Sequence, residues 1–160
     1  MYKALIPLFI LILSACGSQN SAMITSEEES INELSNSIIT FNQISLDLVS
    51  IKTPEQFYSL DKGMNITLNI NVDEGRYNGK SGCNSYFGGV EIIDQDKIYF
   101  SPGGITEMMC EKPIMIWESR FLNALMENQF FVNEAENTII FSDPANGYSM
   151  TFTKSMNSEN

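Results

Sequence analysis

Residues 66–72 read Ile66-Thr67-Leu68-Asn69-Ile70-Asn71-Val72, an unbroken alternation of aliphatic and polar side chains. Successive side chains of a strand point to opposite faces, so Ile66, Leu68, Ile70 and Val72 share one face and the threonine and asparagines share the other. A strand that buries one side and wets the other belongs to an antiparallel sheet, because parallel strands are covered on both faces. The turn signal Asp73-Glu74-Gly75 comes immediately after. This one stretch sets the class of the fold.

Outward from it the same rhythm recurs. Leu46, Leu48 and, after Val49-Ser50, Ile51 mark a first strand. Short strands are read at 76–78, 86–93, 97–100, 130–133, 138–141 and 148–153. Turn signals separate them at Asp94-Gln95-Asp96, Ser101-Pro102-Gly103-Gly104 and Asp143-Pro144-Ala145-Asn146-Gly147. Connections this short favour a meander over parallel crossovers. Residues 113–128 break the rhythm: Pro113 takes the first helical position, and Ile114, Trp117, Phe121 and Leu125 make one apolar stripe. Leu122, Met115 and Met126 widen the stripe, while Ser119, Arg120, Asn123 and Glu127 take the opposite side. The expected fold is therefore α+β, a small antiparallel β-sheet, curved or partly barrel-like, with one amphipathic helix packed across it.

Glu118 falls inside that apolar arc, about 40° from Ile114 and Leu122 at 100° per residue. A carboxylate there must find donors or take up a proton. Either it accepts hydrogen bonds from a neighbouring loop and locks helix to sheet, or the helix edge is exposed at that point.

The chain of 160 residues carries 20 acidic and 9 basic side chains and no histidine, a formal charge of −11. The scattered basic residues offer no face that could displace counterions from phosphates, which argues against a nucleic-acid partner. The missing histidine removes the commonest general base and metal ligand.

The N-terminus reads as an address. Lys3, an apolar run from Ala4 to Leu13, and Ser14-Ala15-Cys16 describe an export signal, too short to span a bilayer at the required length of about 20 apolar residues. Leu13-Ser14-Ala15-Cys16 fits the bacterial lipobox, in which Cys16 is diacylated and becomes the first mature residue. Its acyl chains would anchor the protein to a membrane, and Gly17, by resemblance to enterobacterial sorting, favours the outer membrane. The domain plan is a signal peptide over 1–15, an acylated cysteine with a Ser-, Asn- and Glu-rich tether over 16–43, a folded domain over 44–153 and a tail over 154–160. Ile31, Leu34 and Ile38 have helical spacing within the tether, and Glu27-Glu28-Glu29 reads as a solvated run.

With Cys16 assigned to lipid, Cys83 and Cys110 remain as an even pair in an oxidising compartment. They are either bridged, closing a loop of about 28 residues worth roughly 3–4 kcal/mol, or two buried thiols. A catalytic thiol is disfavoured for want of a histidine to make the thiolate.

Other chemistry falls away in turn. Gly79-Lys80-Ser81 lacks the earlier glycine of a phosphate loop, since position 74 is Glu, and the residues after Ser81 are strand-like and do not open a helix. No histidine could activate Ser81. Asp94-Gln95-Asp96 and Asp73-Glu74 read as solvated turns and not calcium loops, and no zinc set exists. Tyr77, Tyr86, Phe87 and Tyr99 can line a binding surface, but on strands they read first as core or cross-strand pairs.

One ordered set is more specific. Gly79-Lys80-Ser81-Gly82-Cys83-Asn84-Ser85-Tyr86 is succeeded by Gly88-Gly89, then Thr106-Glu107-Met108-Met109-Cys110, then Glu118 with Phe121-Leu122 and Leu125. It resembles the META domain of heat-shock-inducible, HslJ-type envelope proteins, over about residues 44–153. Leu46 stands where that family usually opens with a tryptophan, and Ile105-Thr106 where it has paired threonines. The resemblance implies a small antiparallel β-structure, partly barrel-like, with a helix across it, and no shared catalytic activity or cofactor. It implies structural roles: Cys83 and Cys110 as a pair, and Asn84, Thr106 and Glu118 as polar anchors, with the Gly82-Cys83-Asn84 loop as the partner of Glu118. The expected function is a non-enzymatic envelope lipoprotein, held to the membrane through Cys16, that binds an envelope partner or supports stress tolerance. The alternative is a small-ligand carrier using an open barrel mouth.

Overall fold

The alternating stretch forms the third of nine strands: β1 (Gln43–Lys52), β2 (Phe57–Ser59), β3 (Ile66–Asn71), β4 (Arg76–Ser81), β5 (Ser85–Asp94), β6 (Lys97–Ile105), β7 (Asn128–Glu134), β8 (Thr138–Asp143) and β9 (Tyr148–Lys154). One helix, α1 (Lys112–Leu125), stands between β6 and β7. The computed structural model describes residues 39–155. The export signal, Cys16, the acidic run at 27–29, the helical spacing at Ile31, Leu34 and Ile38, and residues 156–160 lie outside the described residues.

All pairings are antiparallel, in the order β1-β3-β4-β5-β6-β7-β8-β9, and β9 pairs back onto β1. The sheet thus closes into an eight-stranded barrel, further than the partly barrel-like sheet expected. Closure is helped where Leu48 and Ser50 face consecutive residues, Phe152 and Thr151, leaving Val49 as an extra residue. A bulge of this kind bends a strand and increases its twist. The short β2 adds to the far half of β1, pairing Ser50 with Ser59 and Lys52 with Phe57. At three residues it is too short to show a periodicity.

Ser101-Pro102-Gly103-Gly104 is not the turn its composition indicates; it lies inside β6. Gly103 pairs with Gly88 and Phe100 with Val90, so Ser101 and Pro102 together face Gly89 at a bulge. Proline, lacking an N–H, is tolerated there, and Ser101 Oγ replaces the lost pairing by accepting from Gly89 N–H at 3.1 Å and donating to Gly89 O at 3.0 Å. The glycines fit because a Cβ on Gly103 would stand within bonding distance of Phe87 O, and one on Gly104 would strike the Phe87 ring.

The barrel interior is filled. Tyr77, Phe100, Phe141, Phe152, Phe121 and Tyr86 form a closed circuit of ring contacts, with neighbouring centroids 5.2–6.4 Å apart. Leu46, Ile51, Leu68, Ile98 and Met150 are buried around it. Two of the rings carry hydroxyls that a core must satisfy. Tyr77 Oη donates to Ser101 O at 2.8 Å and Tyr86 Oη to Thr67 O at 2.6 Å. Burial pushes the Tyr77 phenol up to about 12, with Tyr99 adding to the shift, and burial raises the Tyr86 phenol as well, with Tyr77 adding to it.

Helix α1 covers one end of this barrel. Phe121 touches Tyr86 on β5 and Phe152 on β9, strands that lie four steps apart whichever way the ring is followed. A side chain reaches both only from the barrel's mouth. The helix ends at Leu125, three residues before the expected 128. Glu127 turns to a positive φ of 60°, and Asn128 donates its side-chain amide to Ala124 O and Met126 O at 2.9 and 3.2 Å. These bonds satisfy carbonyls the helix leaves open, and β7 starts at the same residue. At the other end of the domain, the barrel reaches back into the expected tether. Ile39 and Phe41 pack half-buried on the core, and Ile39 N–H donates to Gln95 O at 2.9 Å.

Candidate functional site

The β4–β5 turn brings Ser81, Gly82, Cys83 and Asn84 beneath the N-terminal half of α1. Gly82 holds a φ of +107°, and a Cβ there would also press on Ile114 at 3.1 Å, so the turn needs glycine for conformation and for space. The turn is pinned by three sets of bonds.

Glu118 on α1 supplies the first. Its Oε2 accepts from Ser81 Oγ at 2.6 Å and from Asn84 N–H at 2.9 Å, and its Oε1 accepts from Asn84 Nδ2 at 2.8 Å. The residue is only 5% exposed, which answers the open question about the helix edge. Burial pushes its pKa up, but the hydrogen bonds from Ser81, the Asn84 side chain and the backbone amides of Asn84 and Cys83 outweigh this and hold it below 4.5. Ser81 has one hydroxyl proton and two acceptors in reach, Glu118 and Asn84 O at 3.0 Å. The shorter contact to a charged acceptor takes the proton.

The 106–110 segment supplies the second. Asn84 Oδ1 accepts from Met108 N–H at 2.7 Å and Thr106 Oγ1 at 2.9 Å, and Thr106 Oγ1 accepts from Ser85 N–H at 3.1 Å. Asn84 therefore spends its carbonyl on this segment and divides its amino group between Glu118 Oε1 on the helix and Met108 O at 3.3 Å. The third is covalent: Cys83 and Cys110 form a disulfide with Cα atoms 6.1 Å apart. The structure gathers Asn84, Thr106, Glu118, Cys83 and Cys110 into one constellation joining strand, helix and loop.

A second contact set on the same helix was not visible in the sequence. Trp117 Nε1 donates to Asp61 Oδ2 at 3.0 Å, Tyr58 on β2 meets the Trp117 ring edge-on at 6.3 Å, and the Arg120 guanidinium lies 3.6 Å from the Tyr58 ring centre. Arg120 thus stacks on aromatics and does not simply face water. The signal was absent because β2, the element it packs against, has no periodicity to read.

Chemically the constellation is closed. Both carboxylate oxygens of Glu118 are engaged, and Ser81 and Asn84 are buried with it. Among the described residues no group of three or more His, Cys, Asp or Glu side chains could hold a metal ion. Nor is any helix among them long and apolar enough to cross a membrane.

The sequence model of the META domain matches residues 42–157, the whole barrel with its helix. The chain belongs to the META domain family. Its fold is shared with a solved structure described as the NMR structure of the protein from Burkholderia xenovorans, with a TM-score of 0.59 at 29% identity, covering 71% of this chain and 82% of that one. No curated protein matches the chain. In this META domain the polar constellation ties the β4–β5 turn to α1 and to the segment before it.

Proposed function

We propose that this protein is a lipid-anchored component of the bacterial cell envelope whose META domain acts by binding, without catalysis, in envelope maintenance or stress tolerance. The observation that carries the anchoring is Leu13-Ser14-Ala15-Cys16 at the end of an apolar run. The non-catalytic reading draws on the saturated, buried Glu118, the absence of histidine and the lack of a reactive cysteine once Cys83 and Cys110 are paired. The carrier alternative has weaker support, since the circuit of six rings occupies the barrel where a ligand would sit.

The test is expression with a clickable palmitate analogue, then membrane fractionation. The wild-type chain is expected to carry the label and to sediment with membranes, and Cys16→Ser is expected to lose both. A label-free wild type would refute the anchor. Affinity capture from the native membrane, compared with the Cys16→Ser form, then identifies the partner.

A further inference from the structure

We propose that the outer face of β1, β3 and β4, continued onto β5, is a binding site for a neutral oligosaccharide. This goes beyond anchoring and names a ligand class for a surface the polar constellation does not touch. A cleft of about 470 Å³ opens there, lined by Gln43, Ser45, Asn69, Asn71, Glu74, Arg76 and Asn78, together with Ile44 and Ile70. That volume lies in the range of small-molecule sites, about 300–1,000 Å³.

Register explains why these side chains converge. Gln43 pairs with Asn71 and Asn71 with Arg76; Ser45 pairs with Asn69 and Asn69 with Asn78. Two polar rows therefore run side by side across three strands, all on the face opposite Ile66, Leu68 and Ile70. Four of the lining groups are carboxamides, each offering both donors and an acceptor. A sugar hydroxyl needs that pairing, because it donates and accepts at once.

Most of this capacity is unspent. Asn69 donates to Asn78 Oδ1 at 3.1 Å, and Asn71 Oδ1 accepts from Glu74 N–H at 3.0 Å. Among the described residues the Gln43 amide, the Arg76 guanidinium, the Glu74 carboxylate and the Asn78 amino group have no side-chain partner.

The second row does not stop at the cleft. Asn78 pairs with Phe87, and Phe87 with Gly104. Phe87 is 63% exposed, and its ring occupies the space that a Cβ on Gly104 would fill. Gly104 gives the ring a bed, and one aromatic face is left to solvent. Strands about 4.8 Å apart place that ring some 5–10 Å from Asn78, within reach of the next sugar unit. The apolar C–H face of a pyranose suits the electron-rich face of an aromatic ring.

Charge selects among glycans. The chain carries −11, while the cleft holds one guanidinium and one carboxylate. A polyanion gains little from that balanced pair and is opposed by the surrounding field; a neutral polyhydroxyl chain is not.

The test uses the isotopically labelled full chain in detergent micelles, titrated with cellotetraose, maltotetraose and chitotetraose, and with tetragalacturonate as the acidic counterpart. At least one neutral tetrasaccharide is expected to bind at millimolar concentration or below and to shift the Asn69, Asn71 and Asn78 side-chain amides and the Phe87 ring. Arg76→Ala and Asn78→Ala are each expected to weaken it about tenfold. Phe87→Leu, which keeps an apolar cover on Gly104 but removes the flat ring, is expected to weaken it about threefold, with melting temperatures checking that each variant folds. Absence of binding by all three neutral sugars, shifts confined to another surface, or equal affinity for tetragalacturonate would overturn the proposal. None of these outcomes bears on the lipid anchor, which is read by labelling alone.

Discussion

Glu118 on the helix holds Asn84 on the β4–β5 turn by both carboxylate oxygens, Oε1 on the side-chain amide and Oε2 on the main-chain N–H, at 2.8 and 2.9 Å. Every partner of this carboxylate is a donor. An amide in its place offers one acceptor and turns an NH2 toward donors that it cannot satisfy. Glu118→Gln is therefore expected to cost about 2–3 kcal/mol, and Glu118→Leu at least as much, since the buried Asn84 N–H would lose its acceptor and Ser81 would keep only its contact to Asn84 O. Urea unfolding of the purified chain measures both, and unchanged midpoints would refute a locking role.

The same carboxylate makes stability depend on acid. Glu118 and Glu134 both titrate below the ordinary 4.5 in the folded protein. For Glu134, burial acts upward, and the bonds from Lys154 at 2.7 Å and Thr40 at 2.8 Å overcome it. The unfolded chain thus binds more protons than the folded one across the interval from the lowered values to 4.5, so stability rises with pH there. It is fully present above the unfolded carboxylate pKa and is lost as pH falls through the folded values. Urea midpoints should be flat near neutrality and drop below about pH 4.5. In Glu118→Gln the drop should be shallower, whereas a curve as steep as that of the wild type would remove Glu118 from the account.

Much of this was legible at the level of single residues. The alternation at 66–72 gives β3 its faces, and helical arithmetic puts Glu118 among apolar neighbours at 114 and 122. Three things were not legible, each for a physical reason. Closure of the barrel depends on β1 meeting β9 across about a hundred residues, and no local pattern encodes it. Ser101-Pro102-Gly103-Gly104 has the composition of a turn, yet the Phe87 backbone and ring select glycines there inside a strand. Arg120 reads as solvated on a helical wheel because the wheel does not include Tyr58, brought against it by a three-residue strand. In the site, the place of Glu118 is set by periodicity. The hydrogen bond from Met108 N–H to Asn84 is not, because any residue supplies a backbone amide.

The disulfide joins residues 27 apart in sequence and fastens the 106–110 segment to the turn that Glu118 grips. Chain-entropy arguments put its contribution at about 3–4 kcal/mol. Reduction, or Cys83→Ser with Cys110→Ser, is expected to lower stability by about that amount while leaving the barrel folded. Hydrogen exchange should localise the change: amides of Thr106 and Met108, bonded to Ser85 O and Asn84 Oδ1, should lose protection before those of β8 and β9. Uniform loss across all strands would mean that the bridge supports the whole barrel and not this corner.

Inside the barrel two tyrosines each lie over a glycine of the neighbouring strand, Tyr86 over Gly79 and Tyr77 over Gly88. A Cβ on Gly88 would come within 2.3–2.5 Å of the Tyr77 ring and hydroxyl, and the ring has no room to retreat between Tyr86 and Phe100. Gly88→Ala is therefore expected to destabilise by about 1–3 kcal/mol through overpacking. Tyr77→Leu alone is expected to cost a comparable amount, as it vacates ring volume and leaves Ser101 O without its donor. In the double variant the added methyl enters space the ring has left, so the two losses should sum to more than is observed, with a coupling on the order of 1–2 kcal/mol. Strict additivity in the double-mutant cycle would mean that the strain of Gly88→Ala arises in the β5 backbone and not from the ring that lies across it.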